Sequence, residues 1–335
     1  MKDLPIDPLP ALIREPGPAL QYFVRRDLLC EAVPPIATLW DYAEVSKCLR
    51  GQRPDGFWPG RKPRPEVEPA WPKWKEPLFE TWKRLRVLVL QYELTIEHRG
   101  CRAACEFILS CQQPAGDIRG LLANQYATYY TGALAGLLIR AGLKDDRRMR
   151  AALDWLLRMR QDDGGWSVPI IDHRLSRAEQ HRLTTRQAPP LEPVLSRPFT
   201  HLATGMVLCA FAAHPEYRRL DEVQHAGRLL KSRFFQRDSS SSYRAAAYWT
   251  VFSWPYWWND LVSALDILQQ LGFRADDPEI AAGLAWFAEH QRRDGLWDQT
   301  SISGRTAGGP AARERRAWLG LNILRILRRW RRWSA

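Results

Sequence analysis

The sequence predicts an all-α protein, an α/α toroid of about five to six helical hairpins with an inner and an outer ring of helices. Apolar residues follow helical spacing along most of the chain, no strand-like alternation stands out, and a phrase ending in Asp-Gly-x-Trp returns. Because 45% of the 335 residues are apolar, one large core is expected. We treat 1–335 as a single toroid domain with a Pro-rich arm at 1–17 and a basic helix at 312–335.

Buried and amphipathic helices alternate along the chain. The helix at 124–141 is apolar almost all round, whereas the helix at 146–160 has an acidic start, a basic end and one apolar face. This alternation predicts an inner ring coated by an outer ring. An open α-solenoid is the alternative, and uneven loops and chain length favour the toroid. The predicted pairs are 18–31 with 36–51, 78–95 with 98–112, 124–141 with 146–160, 200–213 with 219–235, and 257–272 with 277–291, followed by a last helix at 312–332.

The repeated phrase closes a helix in its three clear copies, at 47–58, 155–166 and 286–297. Weaker copies lie at 107–118 and 229–240. In the clear copies, glycine supplies the left-handed residue that ends the helix. The copies follow one another at intervals of about 48 to 74 residues, so each of them marks the end of one hairpin.

The segments QRPDGFW, QDDGGW and QRRDGLW resemble the QW repeats of the terpenoid cyclase and protein prenyltransferase superfamily, including squalene-hopene-cyclase-like proteins. The resemblance implies an α/α toroid in which the closing Trp stacks between neighbouring hairpins. It also implies that Gln52 and Gln291 tie a helix end to the next turn. The chain departs from the family because the DxDD of class II cyclases and the DDxxD of class I synthases are absent. The nearest counterpart of DxDD is WWND, with Asn259 at the place of the proton donor.

Long loops are predicted from outer to inner helices, at 59–77, 167–198, 236–255 and 298–310. In a ring they all fall at one end, where the inner helices begin, so we expect the mouth there. Helix N-termini favour anions, which suits a substrate with an anionic headgroup. The second loop carries Asp172, His173 and His181, which fit either a lid with titratable groups or a solvated insertion.

The candidate site lies at 247–272. Asn259, Ser263, Asp266 and Gln270 make a polar stripe on an otherwise apolar helix, and on an inner helix only the lumen can accept it. We predict Asp260 and Asp266 as acids and His201 as a base or headgroup contact. Alternatively, the aromatic side chains only pack between helices and the acid caps a helix. The predicted substrate-binding residues are Trp254, Tyr256, Trp257, Trp258, Asn259, Ser263, Tyr129, Thr128, Thr204 and Phe199.

These residues predict a terpenoid-cyclase-like enzyme that acts on an apolar isoprenoid or polyene-type substrate by acid-initiated cyclisation or isomerisation. Aromatic ring faces would stabilise the cation. One alternative is a non-catalytic toroid that binds a lipid or a protein partner. Another is a zinc-dependent prenyltransferase-like subunit. His98, Cys101 and Cys105 share a helical face, but small thiols also pack well in cores, so we predict no metal site and no cofactor.

The net charge of +12 is partly concentrated in the tail RILRRWRRW. This tail fits either peripheral contact with an anionic membrane or a basic last helix. No nucleic-acid-binding motif is present, so no nucleic-acid partner is expected. There is no apolar run of about 18 residues and no signal-peptide h-region, and the six cysteines lie in predicted helices. We therefore expect a cytoplasmic protein with reduced thiols.

Overall fold

The computed structural model describes residues 4–15, 17–60, 75–186, 188–240, 244–299 and 309–333. Within these ranges the chain forms helices and turns and no strand, so the predicted all-α class is confirmed. The α-helices, in chain order, are α1 (Leu9–Ile13), α2 (Pro18–Phe23), α3 (Ala43–Leu49), α4 (Lys75–Leu90), α5 (Arg99–Ser110), α6 (Thr128–Leu138), α7 (Arg147–Arg158), α8 (Pro169–Asp172), α9 (Arg177–Thr185), α10 (His201–Ala213), α11 (Asp221–Lys231), α12 (Leu261–Gln270), α13 (Pro278–Glu289) and α14 (Pro310–Trp333).

The helices form two rings, and the predicted α/α toroid is confirmed. The inner ring consists of α2, α4, α6, α10, α12 and α14, and the outer ring of α3, α5, α7, α11 and α13. The inner helices pack closely. A Cβ added to Gly132 of α6 would lie 2.5 Å from the Cα of Val207 in α10, so glycine sets the distance between these two helices.

The two ends of the chain close the ring. Helix α14 packs against α1, α2 and α12, so the last inner helix contacts the first helices of the chain. Gln291, after α13, donates its side-chain amide to the carbonyl of Ile6 and accepts from the Ile6 N–H. Helix α1 therefore completes the outer ring beside α14. The alternative of an open α-solenoid is wrong.

Several boundaries differ from the prediction. The helix expected at 36–51 is a 3₁₀ helix (Ile36–Asp41) followed by α3, and α2 and α6 continue as π-helical turns (Val24–Leu29 and Ile139–Leu143). Helix α12 begins at Leu261 instead of 257. The long loop after α7 contains α9, which starts with a capping box between Ser176 and Glu179.

The tryptophans that close the phrases are buried and tied to their own hairpin. The indole N–H groups of Trp58, Trp166 and Trp297 donate to carbonyls near the ends of the preceding outer helices. The backbone N–H of Trp166 donates to Thr204 on the next inner helix, at 2.9 Å. The backbone N–H of Trp58 donates in the same way to Thr81 on α4, at 3.1 Å, so Trp58 and Trp166 each bridge an outer helix and the inner helix that follows it.

A glutamine in the same phrase connects neighbouring hairpins. Gln52 donates to the carbonyls of Gly56, in its own turn, and Gly100, at the start of α5. Gln112 makes the equivalent bonds to Gly116 and to the carbonyl of Arg148 in α7. One amide thus satisfies two backbone carbonyls and fixes the next outer helix against the turn.

Some predicted features are only partly described. The described residues leave out most of two predicted loops, at 59–77 and 298–310. They also leave out the first residues of the arm at 1–17 and the end of the tail. Among the residues that are described, no helix combines the length and the apolar character needed to cross a membrane.

Candidate functional site

A cavity of about 840 Å³ lies inside the inner ring, and every inner helix or its direct extension contributes to the wall. Most of the contributing helical residues come from the second half of an inner helix, whereas Ile36, Trp254 and Tyr256 lie outside the inner helices. The apolar and aromatic part of the wall includes Trp82, Val89, Leu90, Ala133, Leu137, Met206, Trp254, Tyr256 and Ile267. The charged part consists of Arg26, Asp27, Arg86, Glu93, Arg140, Asp266, Arg325, Arg328 and Arg329. The cavity is therefore amphipathic.

The position of this cavity corrects the predicted mouth. We expected the mouth where the inner helices begin, but the cavity lies toward their C-terminal ends and reaches the exposed residue Cys30. At the opposite end, Trp257 stacks on Trp82 with ring centroids 5.0 Å apart. The Tyr129 hydroxyl donates to the carbonyl of Trp257, at 2.8 Å. The aromatic segment therefore closes the lumen at the end where we expected it to open.

The predicted polar stripe of α12 is divided between two environments. Asp266 and Gln270 line the cavity, whereas Asn259 and Ser263 are buried at the start of the helix. The Asn259 amide donates to the carbonyl of His201, and its Oδ1 lies against Gly205 of α10. The stripe faces the interior, as predicted, but only its C-terminal half reaches the cavity.

Asp260 caps α12. Its carboxylate accepts from the N–H of Ser263 at 2.8 Å, and the Ser263 hydroxyl accepts from the Asp260 N–H. Burial raises the pKa of Asp260 to about 7, although the hydrogen bonds with Ser263 oppose the shift. Asp260 is not among the residues that line the cavity. The structure therefore gives this carboxyl the capping role that we considered as the alternative.

Asp266 is the predicted acid that lines the cavity. Its carboxylate pairs with the guanidinium of Arg329 on α14. Two predicted aromatic residues share the wall with it, Trp254 and Tyr256, whose rings meet edge to face at 4.8 Å. The Tyr256 hydroxyl accepts from the side-chain amide of Asn322. The cavity thus holds one predicted acid and two of the predicted aromatic residues.

The remaining predicted residues stabilise the other end of the ring. His201 lies next to Asp238 and over the Trp249 ring, and burial lowers the pKa of its imidazole. Thr204 accepts from the Trp166 backbone, and Thr128 donates to the carbonyl of Ser167. None of these side chains lines the cavity, and neither do Phe199, Tyr129, Trp257 or Trp258.

Arg86 on α4 is the most deeply buried cation of the cavity wall, with 9% of the residue exposed. It donates to the carbonyl of Tyr256, and its guanidinium lies 4.3 Å from the centroid of the Trp257 ring. No carboxylate pairs with it among the described residues. Burial lowers the pKa of Arg86 to about 10, because the site offers little compensation for the lost hydration.

The candidate metal ligands are used for structure. His98 caps α5 by accepting from the N–H groups of Gly100 and Cys101, and Cys101 and Cys105 are buried. In the part of the chain that the structure describes, no group of three His, Cys, Asp or Glu side chains could hold a metal ion.

Asp172, in the long loop, is buried and bonded to the Ser167 hydroxyl, and burial raises its pKa to about 6.

The arginines of the cavity wall and Asn322 are absent from the residues predicted from the sequence. Polar residues on an otherwise apolar helix serve there as the test for a lumen-facing side chain at 257–272 alone. The same test detects Arg86 on α4, which shares a face with Trp82 and Val89, and Asn322 on α14. The contribution of Arg26 and Asp27 depends on ring closure, which brings the first and last helices together, so no local pattern indicates it.

No protein-family model matches the chain, and no curated protein matches it either. Its fold is similar to that of the type II terpene cyclase MstE from Scytonema. One solved MstE variant, in complex with its substrate geranylgeranyl dihydroxybenzoate, aligns with a TM-score of 0.51 and 16% identity over 89% of this chain and 77% of its own. A ligand-free variant also gives 0.51 and 16%, over 89% and 76%. Similarity at this identity shows a shared fold.

Proposed function

We propose that this chain is a terpenoid-cyclase-like protein that binds an apolar, isoprenoid-type small molecule in its central cavity and acts on it through Asp266. The observation that carries the proposal is the cavity itself. Its volume of about 840 Å³ lies within the range of small-molecule sites, and it joins aromatic and aliphatic walls to one predicted acid. The structural neighbour MstE, which binds a geranylgeranyl compound, supports the choice of ligand.

The reaction that these residues allow is protonation of an alkene. The O–H bond of a neutral Asp266 breaks, a C–H bond forms on one alkene carbon, and the neighbouring carbon becomes cationic. Loss of a proton from an adjacent carbon to the Asp266 carboxylate then gives an isomer. Attack by a second alkene instead forms a ring and a new cation, which loses a proton in turn. Asp266 is paired with Arg329 in the structure, so this step requires the ligand to displace Arg329 and the freed carboxylate to take a proton from solvent water before the alkene is protonated.

Non-catalytic binding is the second candidate function. This candidate is favoured because both predicted acids already have a structural role: Asp260 caps α12 and Asp266 pairs with Arg329. In that case the cavity would bind an isoprenoid-type ligand and release it unchanged.

The experiment incubates the protein with linear C15 and C20 polyprenyl alcohols and follows products by gas chromatography and mass spectrometry. We expect Asp266→Asn to abolish product formation while keeping binding, and Asp260→Asn to keep both. Binding without product in the wild type would favour the second candidate. Product formation that survives Asp266→Asn would reject Asp266 as the acid, and absence of binding would reject the proposal.

A further inference from the structure

We propose that ligands enter the central cavity at the junction between the first and last helices of the ring, and that the side chain of Arg329 is the gate of this entrance. The gate is closed while Arg329 pairs with Asp266, and it opens when the guanidinium turns outward into solvent. The inference rests on the proposed function, because the gate admits the molecule on which Asp266 would act. It adds a route of entry and one residue that controls it.

The cavity wall becomes accessible to solvent at this junction. Cys30 is exposed, and the Glu93 and Arg329 side chains each have 40% of their surface exposed. By contrast, Trp82 on α4 and Ile267 on α12 are buried in the same wall. A molecule from solvent therefore reaches the interior beside the arginines of α14.

Two neighbouring arginines reach from α14 to the elements on its two sides. Helix α14 packs against both α12 and the π-helical turn Val24–Leu29, and the side chains of consecutive helical residues point about 100° apart. Arg329 pairs with Asp266 on α12, whereas Arg328 donates to two backbone carbonyls of the π-helical turn. Both arginines line the cavity, so their guanidinium groups flank the entrance.

The two arginine side chains differ in how firmly they are held. Arg328 has three acceptors, because its guanidinium also donates to the Cys30 sulfur, at 2.9 Å. The Arg329 side chain has Asp266 as its one partner among the described residues, and its buried Nε has no acceptor. A buried donor without an acceptor is unfavourable, and turning the side chain into water removes this penalty. Arg329 is therefore the side chain that moves more easily.

Opening this gate needs no movement of the helix. Ile326 and Trp330, on either side of Arg329 along α14, are 2% and 1% exposed, so the backbone that carries the arginine is anchored in the core. An exposed side chain changes its rotamer within nanoseconds, whereas collective movements of helices are much slower. The same rotation frees the Asp266 carboxylate, which the proposed reaction requires.

Two other roles of Arg329 make different predictions. An ion pair that only stabilises the ring affects unfolding and leaves the kinetics of binding unchanged. A residue that only contacts the bound ligand mainly affects dissociation, as most substitutions in binding sites do. A gate affects association, because the ligand enters only during the fraction of time in which the gate is open. The association rate constant therefore distinguishes a gate from both.

The experiment measures the association rate constants of two neutral probes, farnesol and N-phenyl-1-naphthylamine, by stopped-flow fluorescence. Neutral probes are not steered by the net charge of the protein. Arg329→Gln and Asp266→Asn break the pair from either side, and each should raise the association rate constant about 2- to 5-fold, the factor set by a partly exposed ion pair. Arg329→Lys keeps the pair and should stay close to the wild type. The melting temperature identifies a variant that does not fold, in which case the other one decides.

Salt provides a second test of the pair. Raising the NaCl concentration from about 0.05 M to about 1 M screens the attraction between the two side chains, so the gate of the wild type should open more often. The difference in association rate between Arg329→Gln and the wild type should therefore shrink. A difference that stays the same at both concentrations would overturn the inference.

The matched control is Arg274→Gln, which removes an exposed ion pair with Asp276 that is not part of the cavity wall. Its association rates should equal those of the wild type. Unchanged association in both Arg329→Gln and Asp266→Asn would overturn the gate and leave the proposed function standing. Binding of the naphthylamine without farnesol would overturn the proposed function, and the naphthylamine rates alone would then decide the gate. If neither probe binds, both are overturned.

Discussion

At the scale of single residues, the carboxyl groups of Asp260 and Asp266 show how little their sequence context reveals about their roles. Asp260 caps α12 and Asp266 lies within it, six positions later, and both fit the pattern of an acid beside aromatic residues. One is enclosed by its own helix cap, while the other faces a guanidinium across the cavity. The burial of Asp260 also predicts how the stability of the protein depends on pH.

The buried carboxyl of Asp260 predicts a loss of stability as the pH rises. Its pKa in the folded protein is raised to about 7, above the ordinary value of 3.8. The native state therefore keeps the proton that the unfolded state releases, and the contribution is present below about pH 4 and lost as the pH rises to about 7. Asp260→Asn keeps the cap and cannot ionise, so its stability relative to the wild type should increase across this range.

Urea unfolding of both proteins at intervals from pH 4 to 8 tests this prediction, with Asp276→Asn as an exposed control. We expect the difference in unfolding free energy to grow by a few kcal/mol, the order set by the shift in pKa. A constant difference would show that Asp260 is ionised in the folded protein throughout this range.

At the scale of secondary-structure elements, the turn glycines determine how closely one hairpin packs on the next. Gly116 has φ +111°, and a Cβ there would lie 2.2 Å from the carbonyl oxygen of Ala151 in α7. Gly56 has the same relation to Ala103 in α5, with 2.0 Å. These turns therefore need glycine for its backbone conformation and for its lack of a side chain.

Gly116→Ala and Gly272→Ala separate these two requirements. Gly272 has φ +86° and open space around the position of a Cβ, so alanine there should cost only about 1 kcal/mol for the backbone conformation. Gly116→Ala adds a clash with the α7 backbone and should cost about 3 kcal/mol or more. Urea unfolding measures both values, and equal losses would mean that α7 moves away without cost.

At the scale of the whole molecule, closure of the ring depends on contacts between the two ends of the chain. The pair of hydrogen bonds between Gln291 and Ile6 spans 285 positions, and Arg325 pairs with Asp27 across the same junction. The junction also completes the cavity wall, because Arg26 and Asp27 meet Arg325 and Arg328 there. A closed ring distributes the loss of any one junction over all hairpins, whereas an open stack would fray at its ends.

Gln291→Ala and Gln52→Ala compare the terminal junction with an internal one. Each removes two hydrogen bonds from a side-chain amide to backbone carbonyls, and Gln291→Ala also removes the bond that Gln291 accepts from the Ile6 N–H, so each should cost about 1–3 kcal/mol. In a closed, cooperative ring both variants should lower the protection of α10 amides against hydrogen exchange by similar amounts. If Gln291→Ala exposes only α1 and α2, the ends of the chain contribute nothing to the cooperativity of the remainder.

The sequence by itself determined the helical class, the toroid and the repeated turn, because these follow from local spacing: apolar residues at helical intervals, glycine at a left-handed position and Trp after it. It also predicted Asp266, Trp254 and Tyr256, which lie on or beside one apolar helix and line the cavity. The long loops, in contrast, misplaced the mouth, since loop length does not reveal that aromatic residues fill one end of the lumen.

Only the tertiary structure decided which end holds the cavity, which acid is a cap and which charges remain unpaired. Whether a carboxylate caps a helix or faces a guanidinium depends on backbone geometry and on residues far away in the chain, such as Arg329 for Asp266. The unpaired charge of Arg86 is likewise a property of the closed ring, because it depends on where the carboxylates of the neighbouring helices lie, and none among the described residues comes within ion-pair distance of it. Sequence patterns report local periodicity, and charge balance in a cavity is set by contacts across the whole ring.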